Sequence, residues 1–338
     1  MPPFSANISR SSTQTNPRLP NEIISKIVHS IPTIKDDDEF EGFLPDEPGA
    51  PDYDTLRACL AVSSAFYVPA HEAIFAEVAL THRCYDPTAL LHRSQLLADL
   101  VSLWEKRDKS AQSVMRSPAQ DIRILFISTL AASSQSNTDN LNAALVTVIQ
   151  HVARENKGQM GGKLHRLTIV AGIDSQRVPR GLGDFYHSSL QLASSKSIRD
   201  LFLDGFYGIP ITAFSGCKFD ELTLHECSFA APTTATDGVE TVGPAAISNL
   251  SWGNLNHEFG TPEQTALLSQ SLKHVELSVA LPERGSITPG RGCVPSSVFT
   301  SDIQLEEVYI QLEGQSFTLI TSPTKYLLFF FFFFHSIL

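Results

Sequence analysis

One spacing of apolar residues returns along most of this chain: an apolar residue, two positions, a second, one position, a third. It occurs as Phe75-Val78-Leu80, Ile122-Leu125-Ile127, Leu164-Leu167-Ile169, Ile198-Leu201-Leu203 and Phe219-Leu222-Leu224. It continues as Ile247-Leu250-Trp252, Leu272-Val275-Leu277 and Leu305-Val308-Ile310. The last two positions of each copy have the strand period of two, and the first anchors the turn into the strand. A single match means little in a chain this apolar. Eight matches, unevenly spaced by about 20 to 50 residues, predict a repeat architecture.

Between these strands the period changes to that of a helix. Leu90, Leu91, Leu96, Leu97, Leu100, Val101 and Trp104 form one helical stripe, closed by Lys106-Arg107 at the end where cations suit the helix dipole. Leu141, Ala144, Leu145, Val148, Ile149 and Val152 form a second, ended by Asn156 and Gly158. Leu182, Phe185, Leu190 and Leu192 form a weaker third, and Pro262 to Leu272 a fourth with Thr261 as its cap. Strand-helix alternation predicts an α/β fold, a parallel sheet with helices outside, curved into a solenoid. The Gly/Pro/Thr/Ser-rich stretches from Ala230 to Pro244 and Pro282 to Pro295 read as loops.

The segment before the repeats is organised differently. Residues 1–17 are polar and read as a disordered tail. Residues 18–75 read as a small helical module. Pro20 suits a first helical turn, Asn21 a cap and Glu22 the positive end of the dipole. Ile23, Ile24, Ile27, Val28 and Ile31 follow at helical spacing, and Pro32 stops the run. A second helix is predicted over Asp54 to Val62 with Leu56, Cys59, Leu60 and Val62 inward, and a third over Ala65 to Phe75 with Ser63 or Ser64 as cap. Between the first two lies an acidic, Pro/Gly-containing stretch, residues 35–53, read as an exposed loop. Three short helices bury little surface, and the pattern alone leaves self-packing and partner binding both open. Residues 76–322 make up the repeat region. Leu327 to Phe334, LLFFFFFF, lies in a hydrophobic tail over 323–338 that reads as sequence past the coding end or as a terminal strand. No polar capping repeat follows, so the solenoid reads as truncated.

Charge and cysteines narrow the classes. A formal charge of −11 argues against a general nucleic-acid binder. Nine acidic residues lie between Asp36 and Asp54. The five cysteines are scattered, with no Cys-x-x-Cys pair, which fits a reduced cytoplasmic or nuclear protein better than a zinc or disulfide framework. No stretch reaches the roughly twenty apolar residues of a membrane span, and no membrane partner is expected.

Catalytic signatures are weak. His71-Glu72 and His257-Glu258 each begin like a zincin helix but lack its second histidine. Gly158 to Lys163 imitates a phosphate loop with its first glycine out of register, Leu164 in place of Ser/Thr, and a strand after it instead of before. No Gly-x-Ser-x-Gly elbow occurs. No catalytic residue, metal or cofactor is expected.

The fifth repeat copy, Phe219-x-x-Leu222-x-Leu224-x-x-Cys227-x-Phe229, follows the leucine-rich repeat pattern through its Asn/Cys position. The resemblance makes Cys227 a buried repeat residue that satisfies backbone groups after the strand. Leu19-Pro20-x-Glu22-Ile23, then Ile27 and Ile31, Leu56, Cys59, Val62-Ser63, Phe66 and Ile74-Phe75, resemble the F-box module, in a variant with Pro69-Ala70 common among fungal F-box-like proteins. Phe66 stands where many members carry Trp, and the acidic insertion separates helices that are normally nearly contiguous.

The resemblance implies a non-catalytic substrate receptor. The module would dock on a Skp-type adaptor of a cullin ubiquitin ligase, and the repeats would hold a target protein. The matching positions are Leu19, Pro20, Ile23, Ile27, Leu56, Cys59, Val62, Phe66 and Phe75. Phe202, Thr223 and Ser251 are candidate target contacts by geometry. A leucine-rich scaffold outside any ligase, capped by the module, is the alternative, and a truncated product without stable function a third reading. Capping predicts Ile23 and Ile27 buried, whereas docking predicts an exposed apolar face.

Overall fold

The structure is a computed structural model and describes residues 19–31, 33–34, 50–81, 87–105, 117–129, 138–157, 163–171, 182–227, 245–253, 273–279, 307–312 and 315–320. The N-terminal helices are Asn21–His29 (α1), Tyr53–Val62 (α2) and Ser64–Phe75 (α3). Between the first two, Thr33–Ile34 (β1) and Ala50–Pro51 (β2) pair antiparallel. This pinches the base of the acidic stretch, and α1 and α2 both pack on α3. Most of that stretch, the tails over 1–17 and 323–338, the loops over Ala230 to Pro244 and Pro282 to Pro295, and the expected helix over Pro262 to Leu272 lie outside the described residues.

The remaining strands form one nine-stranded sheet whose order in space is their order in the chain. Glu77–Leu80 (β3), Ile124–Ser128 (β4), Arg166–Val170 (β5), Asp200–Asp204 (β6), Lys218–His225 (β7), Ala246–Gly253 (β8), His274–Val279 (β9) and Glu307–Leu312 (β10) pair in parallel. Gln315–Ile320 (β11) joins the end antiparallel. Parallel neighbours need a crossover, and here it carries helices: Pro87–Glu105 (α4) and Pro118–Asp121 (α5), then Thr138–Asn156 (α6), then Gly183–Ala193 (α7). Between β6 and β7 the crossover shortens to one 3-10 turn, Ile211–Phe214. No described helix is long and apolar enough to cross a membrane.

The eight apolar copies fall into register. Val78, Leu125, Leu167, Leu201, Leu222, Leu250, Val275 and Val308 stand side by side, one per strand. Leu80, Ile127, Ile169, Leu203, Leu224, Trp252, Leu277 and Ile310 form a second line. The described side chains of both lines turn to the same face and pack with α4, α6 and α7 into the main core. Each fully buried leucine or isoleucine contributes roughly 1.5–3 kcal/mol, so these two lines carry much of the stability.

In the described copies the first apolar residue sits at a corner. Ile122, Leu164, Ile198, Phe219 and Ile247 are fully buried, and the corners repeat one hydrogen-bond device. The Ala76 carbonyl accepts from the amides of Arg123 and Ile124, Arg123 from His165 and Arg166, His165 from Arg199 and Asp200, and Arg199 from Asp220 and Glu221. At the far end, Gly205 and Glu226 follow equivalent strand positions, and both take the left-handed backbone (φ 74° and 48°). Cys227 is buried and its thiol donates to the Leu203 and His225 carbonyls at 3.3 and 3.2 Å. Burial pushes its pKa up, so it is a structural residue and not a nucleophile.

Two details differ from the sequence pattern. Pro20 and not Asn21 occupies the α1 cap position. In α4, Leu96 and Leu100, expected inside, are 50% and 47% exposed, as is Leu103 at 59%. Helix α4 has α6 beside it, but it belongs to the first strand of the array, so no described helix covers its outer flank. Helices α6 and α7 show no exposed large apolar side chain among the described residues.

The in-line packing makes a direct prediction. Leu222→Ala should cost about 2–5 kcal/mol, whereas Thr223→Ala, one residue on and facing away from the core, should cost about 1 kcal/mol or less. Urea unfolding of the two variants checks this, and equal losses would contradict the assigned faces.

Candidate functional site

The N-terminal module is built around α3, on which α1 and α2 both pack. Val28, Leu56 and Ala70 form its core, joined by the half-buried Ile31, Cys59, Leu60, Phe66, Ala73 and Ile74. Ala70 is fully buried, and its small side chain lets the helices approach. Pro69 inside α3 has no N–H to donate to the turn before it, and burial against the other elements holds the helix together despite this loss. Helix α2 is capped by Asp52, which accepts from the Thr55 amide at 3.1 Å and the Thr55 hydroxyl at 2.7 Å. Those bonds hold the Asp52 carboxyl below its ordinary pKa. The chain therefore enters α2 one residue earlier than its pattern predicts.

The nine residues expected on the docking surface divide. Leu19, Ile23 and Ile27 recur every fourth position along α1 and are 53%, 41% and 44% exposed; Pro20 is exposed beside them. Val62, at the end of α2, is 66% exposed. Leu56 is 1% exposed and belongs to the module's interior, where no partner can touch it. Cys59 and Phe66 are half-buried against that interior. Phe75 turns the other way and packs on the main core. The two cores thus meet at consecutive residues, Ile74 and Phe75, and Ala76 alone separates α3 from β3.

The seam between module and sheet is polar. His71 on α3 is buried between the rings of Tyr67 and Phe75, with its Nδ1 2.9 Å from an Asp121 carboxylate oxygen on α5. Lys163, just before β5, reaches the other Asp121 oxygen at 2.7 Å and Glu72 of α3 at 3.1 Å. Arg123 stands 3.9 Å from Glu72. Burial alone would raise the pKa of Asp121, but hydrogen bonds from His71 and Lys163 and the lysine charge outweigh it and hold the carboxyl below its ordinary value. The His71-Glu72 pair that began like a zincin helix therefore serves a structural junction. Lys163, from the phosphate-loop imitation, is committed to the same carboxylates. Among the described residues no cluster of His, Cys, Asp or Glu could hold a metal ion.

The sequence pattern contained no sign of α5 or of this junction. Asp121 lies 50 residues from His71 and 42 from Lys163, and a lone acid beside an apolar run carries no signal of its partners.

On the face of the sheet away from α4, α6 and α7, Phe202, Thr223 and Ser251 are neighbours in register on β6, β7 and β8 and are half-buried. Arg166 and Asp200 form an ion pair there at 3.3 Å, and His225 Nδ1 hydrogen-bonds with the Asp204 carboxylate at 2.9 Å. The hydrogen bond to Asp204 raises the His225 pKa against the effect of burial.

Compared with protein-family models, curated proteins and solved structures, the chain matches none.

Asp121 supplies a test of the junction. Asp121→Asn should lower stability by about 1–3 kcal/mol at neutral pH. Its folded pKa lies below the usual 3.8, so its contribution is complete above that value and is lost as the pH falls through the folded pKa. Acid titration of unfolding should show the wild type losing stability there and the variant losing less. Identical acid profiles would remove Asp121 from the account.

Proposed function

We propose that this protein is a non-catalytic substrate receptor whose N-terminal F-box-like module docks on a Skp-type adaptor of a cullin ubiquitin ligase, while the sheet holds a target protein. The observation that carries the reading is the exposed line Leu19-Ile23-Ile27 on α1, together with the exposed Val62 at the end of α2. The module's interior is already filled by Val28, Leu56 and Ala70 without these residues. Apolar side chains at helical spacing on a free helix face are what helix-against-helix docking uses, with a few anchors supplying most of the affinity.

The strand order, one unit after another with helices on one side, fits an irregular leucine-rich-type solenoid. A scaffold capped by the module remains the second reading, favoured by the seating of Phe75, His71 and Glu72 on the sheet. The capping reading, however, predicts a buried α1 face, and Ile23 and Ile27 are exposed.

Tagged protein expressed in cells should co-purify a Skp-type adaptor. Ile23→Asp with Ile27→Asp should abolish this while leaving the circular dichroism spectrum and melting curve close to wild type, because both side chains already face water. Co-purification that survives the double variant, or none from the folded wild type, would refute the ligase reading.

A further inference from the structure

We propose that the proton on His225 is a switch at the carboxyl edge of the sheet: bound, it clamps the ends of β6 and β7 together, and released, it lets that edge loosen. The switch is independent of any adaptor or target.

The clamp is built from one pair in register. Asp204 ends β6, and His225 ends β7 directly beside it. Each follows a core residue, Leu203 or Leu224, so both side chains stand on the opposite face of the sheet. There His225 Nδ1 is 2.9 Å from an Asp204 carboxylate oxygen. The backbone closes the same corner: the His225 carbonyl accepts from the Gly205 amide at 3.0 Å and from the Cys227 thiol at 3.2 Å. The next neighbour in register is Gly253 on β8, which has no side chain to cover the ring. The imidazole keeps 26% of its surface exposed, so solvent protons reach it.

What faces the ring sets the sign of the switch. From β6 comes the Asp204 carboxylate, and from the turn after β7 the Glu226 carboxylate. Cys227 in the same turn, Tyr207 after β6 and Tyr186 on α7 stay neutral, because burial pushes the pKa of each up. Val170, beside Asp204 on β5, is apolar. Among the described residues that end β3 to β10 at this edge there is no lysine or arginine. Protonated His225 is the one cation among them, set against two carboxylates, and its neutral form leaves both charges uncompensated. The neutral ring can still donate Nδ1–H to Asp204, so the clamp weakens without breaking. The hydrogen bond to Asp204 raises the His225 pKa, burial lowers it, and the charges of Asp204 and Glu226 raise it; the net direction is upward. A group raised in this way gives its full stabilisation below the ordinary value of 6.5 and loses it as the pH climbs through the folded value. The window therefore lies above 6.5, and its sense is opposite to that of Asp121 at the module junction.

Hydrogen exchange of the full-length protein over about pH 5 to 9, corrected for intrinsic exchange, reads the clamp in the stretches 200–208 and 218–227. Ring titration by NMR reads its proton, with the His225 signal assigned by its loss in His225→Gln. In the wild type His225 should titrate above 6.5. The local opening equilibrium should rise through that titration, by about tenfold for each pH unit by which the measured value exceeds the ordinary one. His225→Gln, neutral at every pH, should open in mild acid as readily as the wild type does in mild alkali, and Asp204→Asn should flatten the rise. Circular dichroism controls for folding of both variants, and the wild-type titration and exchange decide the matter if either fails to fold. A ring that titrates at or below 6.5, an edge whose opening ignores that titration, or a rise that persists in both variants would each overturn the proposal.

Discussion

The register line of apolar residues from Val78 to Val308, one per strand, is the constraint on which the rest of the structure depends. In a strand the side chains alternate, so slipping any unit by one residue would turn its leucines to the wrong face. The corner carbonyls lock the same register from the backbone, since those of Ala76, Arg123, His165 and Arg199 each accept two amides from the next unit. Side chain and main chain thus specify one alignment. The free face inherits its order from it: Phe202, Thr223 and Ser251 are neighbours because Leu201, Leu222 and Leu250 are.

The N-terminal module is fixed by the same alignment. Its last residues are the first copy of the repeat, and Ala76 is both the link between α3 and β3 and the first corner carbonyl. Asp121 adds a second attachment through His71 and Lys163. With two attachments so close together, the module is held as an extension of the array. Its α1 face then stays open, and exposed large apolar side chains among the described residues are confined to this end of the molecule, on the module and on α4. In the proposed function, that end meets an adaptor and the sheet meets a target.

The strands were legible in the sequence because a short apolar spacing repeated eight times overrides the ambiguity of each copy. The burial of Cys227 was legible for the same reason: its place in the repeat foretold a buried side chain satisfying backbone groups of the turn, and it is buried, although its thiol donates to the strand carbonyls of Leu203 and His225. What escaped is long-range or depends on position in the array. The α3–α5 junction joins residues far apart in sequence, and β1 and β2 are too short to carry a period. Leu96 and Leu100 fit an inward stripe, but their helix begins the layer and no described helix covers its outer flank. Leu56 belongs by position to the spacing that resembles an F-box, yet packing makes it an interior residue. The motif mixes residues that build the module with residues that face outward, and spacing does not separate them.

Hydrogen exchange of the full-length protein, measured with and without a purified Skp-type adaptor, tests the central claim most directly: that one end of the molecule docks while the sheet stays free. The account predicts slowed exchange over 19–31 and 53–62 and no change in the strands 200–204, 218–225 and 246–253. Protection confined to those strands, or no protection anywhere at saturating adaptor, would contradict it.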